Sequence, residues 1–250
     1  MEYPTFLLLS LAVTLLLVRR TYSLTLPRPE AKRRSPSEPC SFAVFLGSGG
    51  HTSEALALVA ALDFSRYYPR TYIISEGDSL SAQKARDLEA SKSKIAEFPD
   101  VRTDAYRLLE TTGDVSQASA AAQYTLLTIP RARRVHQSLL ATPPAALYSL
   151  ASCIYHVTIL PLMRTGRSTP LAEVLLLNGP GTCLTLCMAA YINRFFGLPS
   201  PRLIYVESFA RVQSLSLSGK LLRPLVDRFL VQWPELRKLC PQAEYRGWLV

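Results

Sequence analysis

Several common patterns are missing from this sequence. It has no CxxC pair, and its five cysteines, Cys40, Cys153, Cys183, Cys187 and Cys240, are odd in number, which leaves neither a zinc ribbon nor a complete disulfide framework. Buried free thiols are expected at all five. Cys183 and Cys187 lie four apart on one predicted helix, but two ligands do not make a zinc site. No DxD-type pair stands near a predicted strand end, so nothing readable calls for a metal or another cofactor. Acidic residues are few, 19 Asp and Glu against 28 Lys and Arg. The resulting net charge of +9 suits nucleic acid, anionic lipid or phosphorylated substrates.

What is present is a chain of 250 residues, 48% hydrophobic and 19% charged, long enough for one large domain or two small ones with a real core. Its N-terminus chooses among the anionic partners. Thr5 to Val18 is an uncharged apolar run followed at once by Arg19 and Arg20. With Met1 to Pro4 it approaches the lower end of the roughly 17–25 residues that a spanning helix needs. A cleaved signal peptide would carry positive charge ahead of the run. Here Glu2 precedes it, and Arg19, Arg20, Lys32, Arg33 and Arg34 follow. By the positive-inside rule, residues 1–20 read as a membrane anchor with the rest of the chain cytosolic. The basic residues can also rest on anionic headgroups, at about 1 kcal/mol each. Pro27, Pro29, Pro36 and Pro39 make 21–39 a basic, proline-rich tether, and the folded domain is expected over 40–250.

That domain is organised around Ser41 to Glu54, SFAVFLGSGGHTSE. Phe42 to Leu46 read as a strand buried on both faces, followed by a turn in which Gly47, Gly49 and Gly50 allow tight bending and close approach to a ligand. Free N–H groups and a helix N-terminus then converge on one point, which favours an anion, most often phosphate. A dinucleotide fingerprint would need a third glycine where Thr52 stands, and the Lys-Ser/Thr pair of a Walker loop is absent. His51, at the mouth of the turn, can donate a hydrogen bond or move a proton near neutral pH; as a structural residue it would cap the helix.

A helix is predicted over Ser53–Leu62, a strand over Arg70–Ser75, an exposed helix over Ser79–Ser91, and a third strand within Val101–Leu109. Gly113–Tyr124 reads as a loop. This alternation predicts a parallel sheet with helices on both faces, whose ligands sit at the carboxyl ends of the strands. Arg131, Arg133 and Arg134 crowd three guanidinium groups into four positions. They form either a solvated helix start or a phosphate contact. Ala145–Met163 is nearly long enough to cross a bilayer but is interrupted by Ser149, Ser152, His156, Thr158 and Pro161. A second crossing would divide the domain, so a buried or membrane-resting helix is expected. Glu173–Asn178 is the next predicted strand and runs into a second glycine turn, Gly179-Pro180-Gly181-Thr182, ahead of a helix over Cys183–Phe196. A strand over Arg202–Val206 ends in Glu207 and Ser208, with Arg211 one helical turn on. A helix is predicted over Leu221–Asp227 and a last strand over Phe229–Trp233. Asn178, Thr182 and Glu207 are ordinary cap and turn residues taken singly. Three strand ends delivering polar groups to one sheet edge read as a site. The apolar tail Tyr245–Val250 is expected to pack on this domain or on a partner.

Five ordered motifs carry a resemblance: Gly47 to Thr52, Leu177 to Cys183, Tyr205 to Val212, Leu217 to Lys220, and Val231 to Pro234. Over Cys40–Val250 the chain resembles the membrane-anchored subunit of the dolichol-pathway UDP-N-acetylglucosamine transferase, the asparagine-linked glycosylation protein 14 family. The resemblance implies a Rossmann-like α/β domain, half of a GT-B glycosyltransferase, preceded by one N-terminal transmembrane helix. It implies an acceptor-binding chain, inactive alone, that recruits a soluble UDP-N-acetylglucosamine-binding catalytic subunit to the cytosolic face of the endoplasmic reticulum. The joint, inverting reaction would add the second N-acetylglucosamine to dolichyl-diphosphate-N-acetylglucosamine through a β1,4 bond. On this reading nucleic acid is set aside and no metal or cofactor is expected. Gly47, Ser48, Gly49, Gly50, Thr52, Asn178, Gly179, Gly181, Thr182, Arg131, Arg134 and Arg211 would hold the acceptor diphosphate. His51 or Glu207 would take the proton from the acceptor hydroxyl, or both would only orient ligand. Tyr245, Trp248, Leu249 and Val250 would meet the partner. The contrasting reading is a membrane scaffold that keeps the fold and only recruits a soluble enzyme. A free-standing nucleotide-dependent enzyme is disfavoured by Thr52.

Overall fold

The computed structural model describes residues 3–26, 28, 35, 38–96, 124–133, 137, 142–165, 170–179 and 181–250. Seven parallel strands form one sheet in the order β3-β2-β1-β4-β5-β6-β7. They are β1 (Phe42–Leu46), β2 (Arg70–Ser75), β3 (Tyr124–Ile129), β4 (Val174–Asn178), β5 (Arg202–Val206), β6 (Arg228–Val231) and β7 (Glu244–Tyr245). The helices are α1 (Tyr3–Thr25), α2 (Gly50–Ala60), α3 (Ser79–Ala96), α4 (Thr142–Ile154), α5 (Leu160–Thr165), α6 (Thr182–Phe195), α7 (Leu217–Leu222) and α8 (Pro234–Leu239). A π turn, Tyr155–Ile159, joins α4 to α5.

The strands read as continuous apolar runs because both faces of the sheet are covered. Successive side chains leave a strand on opposite sides, and the two cores divide accordingly. Ala43, Phe45, Leu175, Leu177, Leu203 and Tyr205 point to the side where α4, α6 and α8 pack. Phe42, Val44, Leu46, Leu176 and Val206 point to the side of α2 and α3. The Rossmann-like expectation is met. The strand expected at Val101–Leu109 lies outside the described residues. The third strand of the sheet is Tyr124–Ile129, just past the stretch read as a loop. Its pattern, YTLLTI, is short and only half buried at an edge, which blurs the apolar signal.

Other boundaries move as well. The helix expected at Leu221–Asp227 is instead α7, where Ser216 caps the helix by accepting from Gly219 N at 2.9 Å. The chain then turns at Leu222–Val226, and the short elements α8 and β7 were not anticipated. Cys153, Cys183, Cys187 and Cys240 are buried free thiols as expected, whereas Cys40, at the domain's edge, is only half-buried. Burial pushes the Cys153 thiol up to about 11 and that of Cys187 up to about 12, which keeps both protonated at neutral pH.

A buried ion pair ties β2 to α3. Arg70 Nε and Nη2 each donate to a Glu89 carboxylate oxygen at 2.7 Å, and Tyr72 Oη donates to Glu89 Oε1 at 2.7 Å. Arg70 Nη1 donates to the Phe64 and Tyr67 carbonyls, so the pair is fully satisfied.

Two helical stretches are long and apolar enough to cross a membrane, Phe6–Leu24 and Thr142–Met163. None of the first is buried, and it stands as a candidate anchor. It continues through Arg19 and Arg20 to Thr25, so the first residues of the expected tether are helical. Near its C-terminal end it docks on the domain: Arg20 Nε donates to Phe195 O at 2.7 Å and Nη2 donates to Arg194 O, which sets a positive charge against the C-terminal end of α6. Of the second stretch, 17% is buried. Ser149, Cys153 and Val157 face α6, while Leu147, Tyr148, Tyr155, Ile159, Leu162 and Met163 are exposed.

Candidate functional site

The sheet order reverses between β1 and β4, whose last residues Leu46 and Asn178 are paired in register. Loops leaving neighbouring strands at such a point depart to opposite faces and open a crevice between them. Both glycine turns lie here and touch: a Cβ on Gly179, whose φ is +128°, would stand 3.1 Å from Gly47 Cα and 3.4 Å from His51 Cγ. Only glycine allows this approach. On the other side, Cβ atoms at Gly49, Gly50 and Gly181 would meet nothing within 4 Å among the described residues, so that face is open.

A chain of hydrogen bonds fixes the protonation geometry of His51. Glu54 is a carboxylate and only accepts, so the Asn178 group facing its Oε2 at 2.9 Å is the Nδ2 amide. Asn178 Oδ1 therefore faces His51 Nδ1, at 2.8 Å, and Nδ1 carries the proton. In the neutral tautomer with that proton, the lone pair lies on Nε2, which makes no hydrogen bond among the described residues. Glu54 is held in turn by Ser208 Oγ at 2.8 Å and Phe209 N at 3.2 Å. Three strand ends, those of β1, β4 and β5, thus act on one imidazole.

The ends of β2 and β3 supply charge to the same turn. Ser48, at φ +69°, donates to Asp78 Oδ2, and Arg131 Nη2 lies 3.5 Å from Ser48 Oγ. Arg131 Nε donates to the Glu76 carbonyl at 3.2 Å. Burial pushes the Asp78 carboxyl up, but hydrogen bonds from Ser48 and Ser81 and the Arg131 charge outweigh it and hold the group below the usual aspartate range. A group depressed in the folded state contributes stability that is complete above the unfolded value, about pH 4, and is lost as pH falls through the folded one. Acid titration of the thermal midpoint is expected to show this limb in the wild type and a flatter one in Asp78→Asn.

The structure sorts the remaining expected site residues. Thr52 is buried, its hydroxyl 2.6 Å from Ser81 Oγ, and Thr182 Oγ1 accepts from Ala132 N at 3.2 Å. These two side chains hold the turns from behind. Glu207 is fully buried: Oε1 accepts from Ser208 N, and Oε2 accepts from Ser216 N and Oγ, each at 3.0 Å. A Cβ on Gly219 would lie 2.1 Å from Oε2, so this carboxylate and Gly219 fit only together. The Glu207 carboxylate is thereby engaged by the loop ahead of α7. Arg211 is exposed on that loop, its N–H bonded to Ser208 O. Arg134 lies outside the described residues. In the tail, Tyr245 forms β7 against the core, and Leu249 N donates to Gln232 Oε1 at 3.3 Å. Trp248 joins Phe209 and Trp233 in an aromatic cluster yet stays 66% exposed, and Val250 is 41% exposed.

Glu54 and Asp78 are the residues that sequence reasoning missed. Glu54 stands three positions after His51, a spacing that shares a face once the helix begins at Gly50, as α2 does, and not at Ser53. That was the available signal. Asp78 follows Gly77 at a strand end and looked like a turn residue.

A family model described as "Oligosaccharide biosynthesis protein Alg14 like" matches residues 42–249, from the first residue of β1 to beyond β7. The UDP-N-acetylglucosamine transferase subunit ALG14 of Cryptococcus neoformans var. neoformans is 44% identical over 229 residues, covering 90% of this chain and 89% of that protein. The subunit of the same name from Schizosaccharomyces pombe is 41% identical over 204 residues, 82% of this chain and 80% of that protein. The human subunit is 34% identical over 216 residues, 86% of each. Because the family model extends through the glycine turns, the β5 loop and the tail to Leu249, and relatives 34–44% identical cover most of the chain, the chain belongs to the Alg14 family.

Proposed function

We propose that this chain is the membrane-anchoring, acceptor-binding subunit of a two-chain transferase. It binds dolichyl-diphosphate-N-acetylglucosamine on the cytosolic face of the endoplasmic reticulum. A soluble partner brings UDP-N-acetylglucosamine. Residues 1–20 anchor it, 21–39 connect, and 40–250 form the acceptor domain, with the exposed apolar face of α4 and α5 resting on the bilayer. The observation that carries the reading is the Glu54–Asn178–His51 relay at the switch point, beside open glycine turns and Arg131.

In this mechanism the N–H groups at the start of α2 and the Arg131 guanidinium hold the acceptor diphosphate. His51 Nε2 takes the proton of the acceptor 4-hydroxyl as that oxygen bonds to C1 of the donor sugar, and UDP leaves from the opposite face with inversion. Between the two candidate bases, His51 is assigned this role and Glu207 a positioning one. The imidazolium formed is stabilised through Asn178 by the Glu54 carboxylate. Trp248 and Val250, exposed on the tail, offer the partner an apolar contact.

The test is transfer to a dolichyl-diphosphate-N-acetylglucosamine analogue by the full chain in vesicles, with and without the soluble subunit. Transfer is expected only with both. For Arg131→Ala, the KM for the acceptor is expected to rise about tenfold with kcat nearly unchanged, since a ground-state phosphate contact is lost. An unchanged acceptor KM would remove the diphosphate from this position.

A further inference from the structure

At the opposite end of the sheet from the glycine turns lies a cavity of about 640 Å³. Six arginines line it: Arg20, Arg28, Arg194, Arg202, Arg223 and Arg228. Arg202 and Arg228 are the first residues of β5 and β6, whereas the candidate site is at the strands' carboxyl ends. Two carboxylates, Asp227 and Glu244, share the lining, which leaves four positive charges in excess.

Both carboxylates are already engaged. Asp227 Oδ2 accepts from Leu203 N at 2.7 Å and pairs with Arg194 at 2.5 Å and Arg28 at 3.6 Å. Glu244 is gripped by Arg228 through both oxygens and is 3.3 Å from Arg246. Arg20 is spent on two carbonyls, not on an acid. Arg223 is exposed, and its side chain makes no hydrogen bond or ion pair among the described residues. The crowding is felt at Arg28, where burial and then the neighbouring Arg194 charge lower its pKa against the pull of Asp227. Part of the uncharged lining, Ser23, Leu24 and Leu26, comes from the end of the candidate membrane helix and the residue just past it, and Leu198, Leu225 and Phe229 of the domain add to the apolar side. Positive charge in excess, forked guanidinium donors and an apolar wall continuous with a membrane anchor are together the complement of a lipid phosphate and its glycerol neighbourhood.

We propose that this cavity receives the phosphate group of an anionic membrane phospholipid, clamping the end of α1 to the domain at the bilayer surface. The chemistry it reads is a phosphodiester of net negative charge, with no cationic head group beside it to repel the arginines. Free phosphate offers the same anion without the apolar part, and the experiment separates the two.

The full chain in neutral detergent is titrated calorimetrically with dihexanoyl phosphatidylinositol, dihexanoyl phosphatidylcholine and inorganic phosphate. The inositol lipid is expected to bind, the choline lipid to give no saturable signal, and inorganic phosphate to bind about tenfold more weakly or worse. Arg223→Glu is expected to weaken the inositol lipid by about tenfold or more, while Arg86→Glu, an equal charge change on the exposed face of α3, leaves it unchanged. A measurement on the unaltered chain accompanies these: phenylglyoxal modification of Arg223, read by mass spectrometry, falls when the inositol lipid is present. Equal binding of choline and inositol lipids, phosphate binding as tight as the lipid, indifference to Arg223→Glu, or unprotected Arg223 would each overturn the proposal.

Discussion

Replacing His51 with alanine is expected to lower transfer by about 10²–10⁴-fold, the usual contribution of a positioned general base, with partner binding and the acceptor KM little changed. The effect should fall on kcat and kcat/KM together, because the proton moves only in the transition state. The relay makes a second variant informative. Glu54→Gln keeps the shape but replaces an obligate acceptor with an amide, so Asn178 is free to turn over and offer Nδ2 to His51. The imidazole then carries its proton on Nε2 and cannot accept one. A large loss in Glu54→Gln, comparable to that of His51→Ala, is therefore expected, while Glu54→Asp should retain part of the rate. Single-turnover transfer with saturating partner checks both. Full activity of His51→Ala would move the base elsewhere, and full activity of Glu54→Gln would make the relay merely structural.

Arg70→Met is expected to destabilise the domain by about 3–5 kcal/mol, because it leaves the Glu89 carboxylate buried beside Tyr72 without its counter-charge. Arg70 and Glu89 are 1% and 4% exposed, so solvent cannot compensate. Against a typical total of about 5–15 kcal/mol, this is a large fraction. Tyr72, whose hydroxyl ionisation is pushed up by burial and then by Glu89, stays a donor and cannot replace the guanidinium. The double variant Arg70→Met/Glu89→Met removes both charges and is expected to recover most of the loss. Urea unfolding of the detergent-solubilised chain, compared through a double-mutant cycle, measures the coupling. A single variant as stable as wild type would show that water reaches the pair.

Much of the arrangement was legible because strand and turn signals are local. VLLLNGPGT and AVFLGSGG each place an apolar run against glycines, and both turns sit where the runs end. The parallel sheet with two glycine turns at strand ends followed from the alternation of strands and helices, whereas the strand order that brings Gly179 against Gly47 is set by the fold as a whole. What the sequence concealed were side-chain roles that depend on long-range placement. Glu207 looked like a group presented at a strand end. Its carboxylate instead turns under Gly219, which is visible only when α7 is in place. Glu54 gains its role only where β4 and β5 bring Asn178 and Ser208 to it. Tyr124–Ile129 was obscured because a half-buried edge strand needs little apolar content.

The π turn between α4 and α5 places one residue more in its circuit than an α turn would. Its displaced Val157 carbonyl is met at 3.2 Å by Asn193 Nδ2, which also donates to Pro199 O, while Thr158 Oγ1 donates to Asn193 Oδ1. Asn193 is buried in α6 and has no solvent to fall back on. The extra residue and the asparagine are therefore a matched insertion. Deleting one residue from Tyr155–Ile159 would move the Val157 carbonyl and the Thr158 hydroxyl away from the amide and leave it only Pro199 O. Replacing the amide would leave the carbonyl unmet, so a viable change of length here requires both alterations in the same lineage.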